Sequence, residues 1–448
     1  MSRTWIRSFA AAETGGGTIF GLFWFAVLVG ICGLAVDITD GLRTRTMLQA
    51  TADSSALAGA IDVPHRDAAI ATAVTYAAAN MNIDDNGDVL NPSDVVIGRW
   101  DQPTKSLDTS AIDPDAVMVT VWRGAANSNA VPVNFLRIIG LQTWNVRAQA
   151  IAQRFIPDCF RKDGLIAAET VDLSSNNYFG PETCVHGEEG VNIQSGNFFD
   201  PEARVSMIDL ADLELPSSGM EGNPGLKDVL LEERLYPKLV EKLDEMMDGY
   251  LSPENPESVL PDFINRELPV ITVTKVQNFD YNTLEPGRVY HFKCPNSTTN
   301  MQINGVEIHD VVIVADCTIS FGSGAYVHDA YIASRAASKI DGGSDSVREL
   351  AAISAAANVQ FGVADNCAPG GGVQLLSNSS MQTSSTTTIN GVQMVAKNDI
   401  RLGSRDGGVN GISAHAGGNI FLSSNNLFGL CRGGADIPFP IWYYRLVL

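Results

Sequence analysis

From Thr14 to Val36 the chain carries no charged side chain, and Cys32 is its only ionisable group. A helix needs about 20 apolar residues to cross a bilayer core, so the run predicts one transmembrane helix over residues 14–36. A cleaved secretory leader would have a shorter apolar core and a small-residue cleavage site, whereas this run leads into Asp37 and Asp40. Residues 42–61, LRTRTMLQATADSSALAGAI, contain neither Gly nor Pro before Gly59, which predicts that the helix continues outward as a stalk. Its expected buried stripe is Met47, Ala50, Leu57, Ala58, Ala60 and Ile61. Pro64 ends the stalk, and a second helix is expected over Arg66 to Met81, before the polar turn DDNGD at Asp84 to Asp88. That turn places Gly fourth rather than sixth and lacks a Glu at the twelfth position, so it reads as an Asx-rich turn and not as a calcium loop.

The period then changes. VVIGRW (Val95 to Trp100), AVMVTVWR (Ala116 to Arg123) and WNVRAQAIAQ (Trp144 to Gln153) read as strands, with a short apolar helix, NFLRIIGL, between the last two. Helices followed by a small antiparallel sheet make an α+β segment with a pilin-like layout.

Farther on, VDLSSNNYF at Val171 to Phe179 recurs as VNIQSGNFF at Val191 to Phe199, an offset of twenty. LSSNNLFG at Leu422 to Gly429 matches LSSNNYFG at Leu173 to Gly180 in seven of eight places, and IRL at Ile400 stands twenty before IFL at Ile420. Short Gly- and Asn-rich units built of β-branched triplets indicate a solenoid of strands, because each unit buries its apolar face only against the next. The expected fold is a right-handed parallel β-helix, similar in pattern to pectate-lyase-like proteins in fold and not thereby in function. Val171, Leu173, Val191, Ile193, Ile400, Leu402, Ile420 and Leu422 are expected to point inward. Asn177, Asn197 and Asn426 are expected at one repeated corner, since Asn tolerates left-handed backbone and its amide can bond to the same amide one coil away. A helical insertion is expected over Leu226 to Leu251, broken or kinked at Pro237, capping or shielding the solenoid edge. Its Met246 and Met247 suit a core better than a partner surface. The aromatic tail IPFPIWYYRLVL is expected to finish an open end of the coil or to dock on a partner.

Charge and cysteine usage narrow the function. Lys and Arg number 30 against 51 Asp and Glu, a net of −21, and the surface therefore repels phosphate backbones, which argues against nucleic acid as a partner. Arg3 and Arg7 precede the span, so the N-terminus is expected in the cytoplasm and the bulk outside it. In an oxidising compartment the cysteines beyond the span, Cys159, Cys184, Cys294, Cys317, Cys367 and Cys431, are candidates for disulfides. Sequence neighbours suggest Cys159 with Cys184, Cys294 with Cys317 and Cys367 with Cys431, while other connectivities and free buried thiols stay open. No zinc spacing, nucleophile elbow, P-loop or HExxH occurs. His309, Asp310, Asp316, His328 and Asp329 are the candidates for glycan chemistry, with two HD pairs placed one coil apart, but solvated turns explain them more simply.

Glu13 and Gly15, then Gly33 to Asp37, then Arg45, Leu48, Gln49, Ala50, Asp53, Ala56, Leu57 and Ala58 reproduce a pattern. A Glu-x-Gly precedes an apolar span that ends in Gly-x-Ala-Val-Asp, and an Arg-x-x-Leu-Gln-x-Ala-x-Asp-x-x-Ala-Leu-Ala run follows. In this respect residues 13–60 resemble the N-terminal domain of the TadE/TadG-like proteins of Flp (tight adherence) pilus assembly, with a looser continuation to residue 153. The resemblance implies a structural inner-membrane component of pilus biogenesis. Two departures stand out. Ser8 occupies the position where prepilin processing requires Gly, and the metal motif Asp-x-Ser-x-Ser of von Willebrand type A domains is missing, since Asp53 and Asp341 both fail to continue it.

The sequence thus predicts a membrane-anchored α+β and all-β protein. Residues 1–13 are cytoplasmic, 14–36 form the transmembrane helix, 37–155 the stalk helix and pilin-like segment, and 156–448 the β-helix with its insertion at 226–251. The implied setting is the bacterial inner membrane, single-pass, with a periplasmic body that contacts other Tad/Flp assembly proteins and pilin. No catalytic residue, cofactor, metal or small-molecule substrate is expected. The competing readings are a surface adhesin and a membrane-tethered glycan-active enzyme.

Overall fold

The computed structural model describes residues 15–447 except 158, 160–163, 257, 296–298, 338, 342–347, 365–369, 404–408 and 429–441. The chain forms two units, Met1–Phe155 with Trp442–Leu448, and Ile156–Ile441.

In the first unit, α1 (Gly15–Ile61) is one continuous helix of 47 residues. Its first half is apolar on every side, with Ile19, Phe20, Phe23, Phe25 and Leu28 all exposed, and it is long and apolar enough to cross a membrane. Beyond Asp37 the helix acquires a packed side. Leu48, Ala52, Ala56 and Ala60, spaced by four, are fully buried against Ala69, Ala73 and Ala77 of α2 (Arg66–Asn80) and against a sheet. This corrects the expected stripe: Met47, Ala50 and Ile61 are exposed and Leu57 is only half-buried, while Ala58 and Ala60 are buried. Small side chains set the true row, because they let the backbones approach; a Cβ on Gly59 would stand 3.0 Å from the carbonyl oxygen of Ala69.

The sheet consists of β1 (Val95–Asp101), β2 (Ser106–Asp108), β3 (Ala116–Arg123) and β4 (Val146–Phe155), all paired antiparallel in the order β2-β1-β3-β4. Its far edge is closed by Tyr443–Leu446, which pairs antiparallel with β4, Tyr443 opposite Phe155. The aromatic tail therefore neither finishes the coil nor waits for a partner, and the expected β-helix range 156–448 loses its last residues to the first unit. Backbone groups on the free edge of β4 need partners, and the returning chain supplies them. Cation-π contacts hold it there, Arg154 over Trp442 at 3.8 Å and Arg445 over Phe155 at 4.3 Å. The helix expected within NFLRIIGL is a single 3₁₀ turn, Leu136–Ile139.

The second unit is a parallel β-helix. A typical coil holds three strands, Gly164–Ala167, Thr170–Leu173 and Tyr178–Phe179, and the next repeats them at Cys184–Gly187, Gly190–Ile193 and Phe198–Phe199. Register follows the sequence offset, with Val171 on Val191, Leu173 on Ile193 and Phe179 on Phe199. All the expected inward residues lie in one buried core. Ring stacking continues along it, Phe179 lying 4.8 Å from Phe199 and 5.2 Å from Phe428 between centroids.

Coil order in space does not follow the chain. Gly164–Ala167 is flanked on one side by Cys184–Gly187 and on the other by Val409–Ala416. The chain thus enters mid-stack, winds outward through Arg204–Met207 to Leu230–Glu232, and crosses to the far end at Ile271–Val273. It then winds back through Arg288–Phe292, Val311–Ala315, Ala330–Ser334, Val373–Ser377 and Thr388–Ala396 until its last coil meets its first. The LSSNN match is that seam, with Leu422 on Leu173 and Phe428 on Phe179.

The crossing segment is the insertion. It breaks around Pro237, as expected, but is not helical throughout: a turn at Leu226–Val229, the strand Leu230–Glu232, a 3₁₀ turn at Val240–Lys242 and α3 (Leu243–Tyr250). Nor does it cap an edge. Leu239, Leu243, Met246, Met247 and Tyr250 lie across the outward side chains Val289, Val312, Val314, Ala333, Leu376 and Val395, so the insertion is a strap over a broad apolar face.

Disulfides join Cys159 to Cys184 and Cys294 to Cys317, with Cα separations of 5.3 and 5.8 Å. Glu13, Cys367 and Cys431 lie outside the described residues.

Candidate functional site

The motif residues of α1 converge on the place where the apolar span ends. The Asp37 carboxylate accepts the backbone N–H groups of Asn134 at 2.8 Å, Phe135 at 2.9 Å and Leu136 at 2.7 Å. One turn earlier, Gly33 leaves room for the Phe135 ring, since a Cβ there would lie 2.6 Å from its Cγ. One turn later, Gly41 lies against the Trp144 ring. Gln49 Nε2 donates to Asp53 at 2.8 Å and to the Gln149 carbonyl on β4 at 3.2 Å. Leu48 is core, Leu57 packs beside it, Arg45 is exposed and Gly15 opens the helix. Gly33, Asp37, Gly41 and Leu48 thus run down one side of α1, fixing its attachment to the sheet and to the loop at 134–141. Sequence reasoning missed that loop as Asp37's partner. The signal was present as an apolar run in a connection, where polar residues are the rule.

In the β-helix the asparagines form a buried ladder. Asn426 N–H donates to Asn177 Oδ1 at 2.9 Å, Asn177 N–H to Asn197 Oδ1 at 3.0 Å, and Asn197 N–H to Asn223 Oδ1 at 2.9 Å. Asn223 was not expected. The left-handed backbone falls one residue earlier than anticipated, at Asn176, Gly196 and Asn425. Two adjacent positions therefore divide the work, the first turning the chain and the second satisfying the next coil's buried N–H.

The HD pairs sit one coil apart, and the rings of His309 and His328 stack at 5.3 Å. Asp310 and Asp329 both have positive φ and directly precede the strands Val311–Ala315 and Ala330–Ser334. In neighbouring coils the equivalent corner is Gly287, Gly391 and Gly411, also at positive φ. The aspartates are thus corner residues, and Asp329 further accepts the Gly371 N–H at 2.6 Å. Asp316 is at a different corner, bonded to His291 at 3.0 Å. Burial pulls the His328 imidazole down in pKa, but its hydrogen bonds to Asp329 and Glu307 and their charges outweigh this and leave it above the ordinary histidine value. Among the described residues no group of three or more His, Cys, Asp or Glu is placed to hold a metal.

Two of the three outward faces differ in what lies over them. Under the strap, the Tyr250 hydroxyl donates to Gln374 and Gln374 to Gln393. Next to Val395 on the outward row, His415 is fully buried, and burial pushes its imidazole down to about 3. Among the described residues no strap crosses the 9-stranded face, and its outward row reads Gln302, Ser320, Ser354, Gln382 and Arg401, then Phe421, Asp172 and Asn192. A shallow groove of about 410 Å³ opens along it, bordered by Asn304 and Ser384.

The chain thus combines a helix long and apolar enough to cross a membrane, a small antiparallel sheet, and a strapped parallel β-helix inserted before that sheet's last strand. Residues 164–432, more than half of the chain, match a family described as Domain of unknown function (DUF7867), and the chain belongs to that family. Residues 15–62 match the Flp pilus-assembly TadE/G-like family, and residues 49–152 match the Tad-like Flp pilus-assembly family. No curated protein and no solved structure gives a match.

Proposed function

We propose that this protein is a non-enzymatic component of Flp/Tad pilus assembly, anchored by α1 in the bacterial inner membrane with its N-terminus cytoplasmic and its body periplasmic. It acts through contacts with other assembly proteins and pilin. The observation that carries this reading is the continuity of the TadE/G-like helix with the Tad-like sheet, joined through Asp37 and Gln49. Such a helix holds its own sheet at a set distance from the bilayer, which suits a scaffold and requires no reacting groups. The HD aspartates fit this view, since they occupy corners that glycine fills in other coils. The test is the pilin sheared from cells lacking the gene, with total cellular pilin as control. Loss of sheared pilin at normal total pilin is expected, and normal piliation would sink the proposal.

A second reading is glycan recognition along the open face, as in an adhesin or a tethered glycan-active enzyme. The groove lined by Gln302, Ser320, Ser354 and Gln382 favours it, because uncharged amides and hydroxyls are the partners sugar hydroxyls need. Normal piliation, together with binding of soluble polysaccharide that is lost on substituting Gln382 and Ser354 by Ala, would select this reading.

A further inference from the structure

Three apolar side chains of the loop at residues 134–141 are uncovered: Ile138 is 83% exposed, Leu141 44% and Phe135 42%. Its height along α1 is fixed from two sides, by the three backbone N–H groups that end on Asp37 and by the Phe135 ring seated on Gly33. A bilayer core of about 30 Å is filled by about 20 helical residues at 1.5 Å each. A span that begins near Gly17 therefore ends near Val36, which puts Gly33 just inside the apolar layer and Asp37 among the headgroups. A carboxylate at that level is costly to desolvate, and the loop offsets this with three charge-assisted hydrogen bonds. The same bonds satisfy backbone groups that would otherwise lack partners near hydrocarbon. Arg137 is exposed beside Ile138, a cation in a chain of net charge −21, and Trp144 against Gly41 is an aromatic residue of the kind that favours the interface.

We infer that residues 134–141 form a hook that enters the outer interface of the bilayer that α1 spans. Phe135, Ile138 and Leu141 meet the upper acyl chains, and Arg137 meets lipid phosphate. This rests on the anchoring reading above and goes beyond it. The occupant is lipid because the hook's level is set by the chain's own span, so whatever lipid surrounds the end of that span also reaches the loop. Two attachment points, helix and hook, fix the rotation and tilt of the stalk, which a single helix leaves free.

The test uses the full chain with Cys32→Ser, reconstituted in phosphatidylethanolamine and phosphatidylglycerol vesicles. An environment-sensitive thiol dye is placed at Ile138→Cys, or at Phe25→Cys as the span reference, and labelling of the parent Cys32→Ser chain is subtracted. At Phe25 the dye should be quenched most by nitroxides deep in the acyl chains. At Ile138 it should be quenched most by nitroxides near the headgroups and be shielded from aqueous iodide, and Leu141→Cys should repeat that result. Deep quenching at Phe25 with only iodide quenching at Ile138 and Leu141 would overturn the hook and leave the anchor standing. Absence of lipid quenching at Phe25 would overturn the anchor, and the hook with it.

Discussion

Along the strapped face of the β-helix the outward positions include Val312, Val314, Ala333, Leu376 and Val395, whereas along the open face the same alternation yields Gln302, Ser320, Ser354, Gln382 and Arg401, followed by one aromatic, Phe421, under the Arg401 guanidinium. The backbone is alike on both, parallel strands paired coil on coil. Inward positions are apolar on both faces, since every coil needs them, but outward positions record what covers each face. On the strapped face the cover belongs to the chain itself, and α3 is buried there through Leu243, Met246, Met247 and Tyr250. An outward row is therefore informative about partners where an inward row is informative only about fold.

The largest test of this contrast is Met247→Ala, which removes a fully buried side chain between strap and face. A loss of about 2–5 kcal/mol is expected in urea unfolding of the detergent-solubilised chain. A loss under roughly 1 kcal/mol would mean that the strap is only loosely attached.

Acid should separate the faces next. Folded His415 stays neutral down to about 3, whereas the unfolded chain takes up that proton near the usual histidine value. The unfolded state therefore binds more protons between these values, and stability is lost as pH falls through that window. At pH 4 this amounts to about 3 kcal/mol relative to pH 7 from this one group. His415→Leu should flatten the dependence when unfolding midpoints are compared at the two pH values. His328, raised rather than lowered, acts in the opposite sense: its contribution is present at low pH and lost as pH rises through its folded value.

The ladder is a smaller term. Asn177→Ala removes the acceptor of the Asn426 N–H and leaves a buried donor without a partner, so about 1–3 kcal/mol should be lost. An unchanged midpoint would show that water replaces the amide at the seam. Smallest of all, Ser354→Ala with Gln382→Ala on the open face should move stability by less than about 0.5 kcal/mol. A large loss there would erase the distinction between the two faces.

How much of this was legible in the sequence follows from the range of each signal. The apolar helix and its stalk, the three main strands of the first sheet, the twenty-residue repeat and the inward set from Val171 to Leu422 all rest on periodicity within a short window, and the structure has them where the pattern put them. The stalk stripe was misplaced because several small residues at helical spacing could all have faced the sheet, and only packing against Ala69, Ala73 and Ala77 selected Leu48, Ala52, Ala56 and Ala60. The break at Pro237 is legible in the insertion, but its strand Leu230–Glu232 is not, because the apolar spacing there is helical and the conformation is set by the coils it joins. The partner of Asp37 lies 97 residues or more away along the chain, beyond any local pattern.

By itself, then, the sequence determined the kinds of element, the coil length and the TadE/G-like motif, since these arise from side-chain spacing and backbone preference within one or two turns. Only the tertiary structure decided that the first coil lies between the second and the last, that the strap covers a face, and that the tail returns to β4. Each of those choices matches a free strand edge or an apolar surface with a distant segment that satisfies it. The Asn426 and Asn177 pair, 249 residues apart, is joined by such a match.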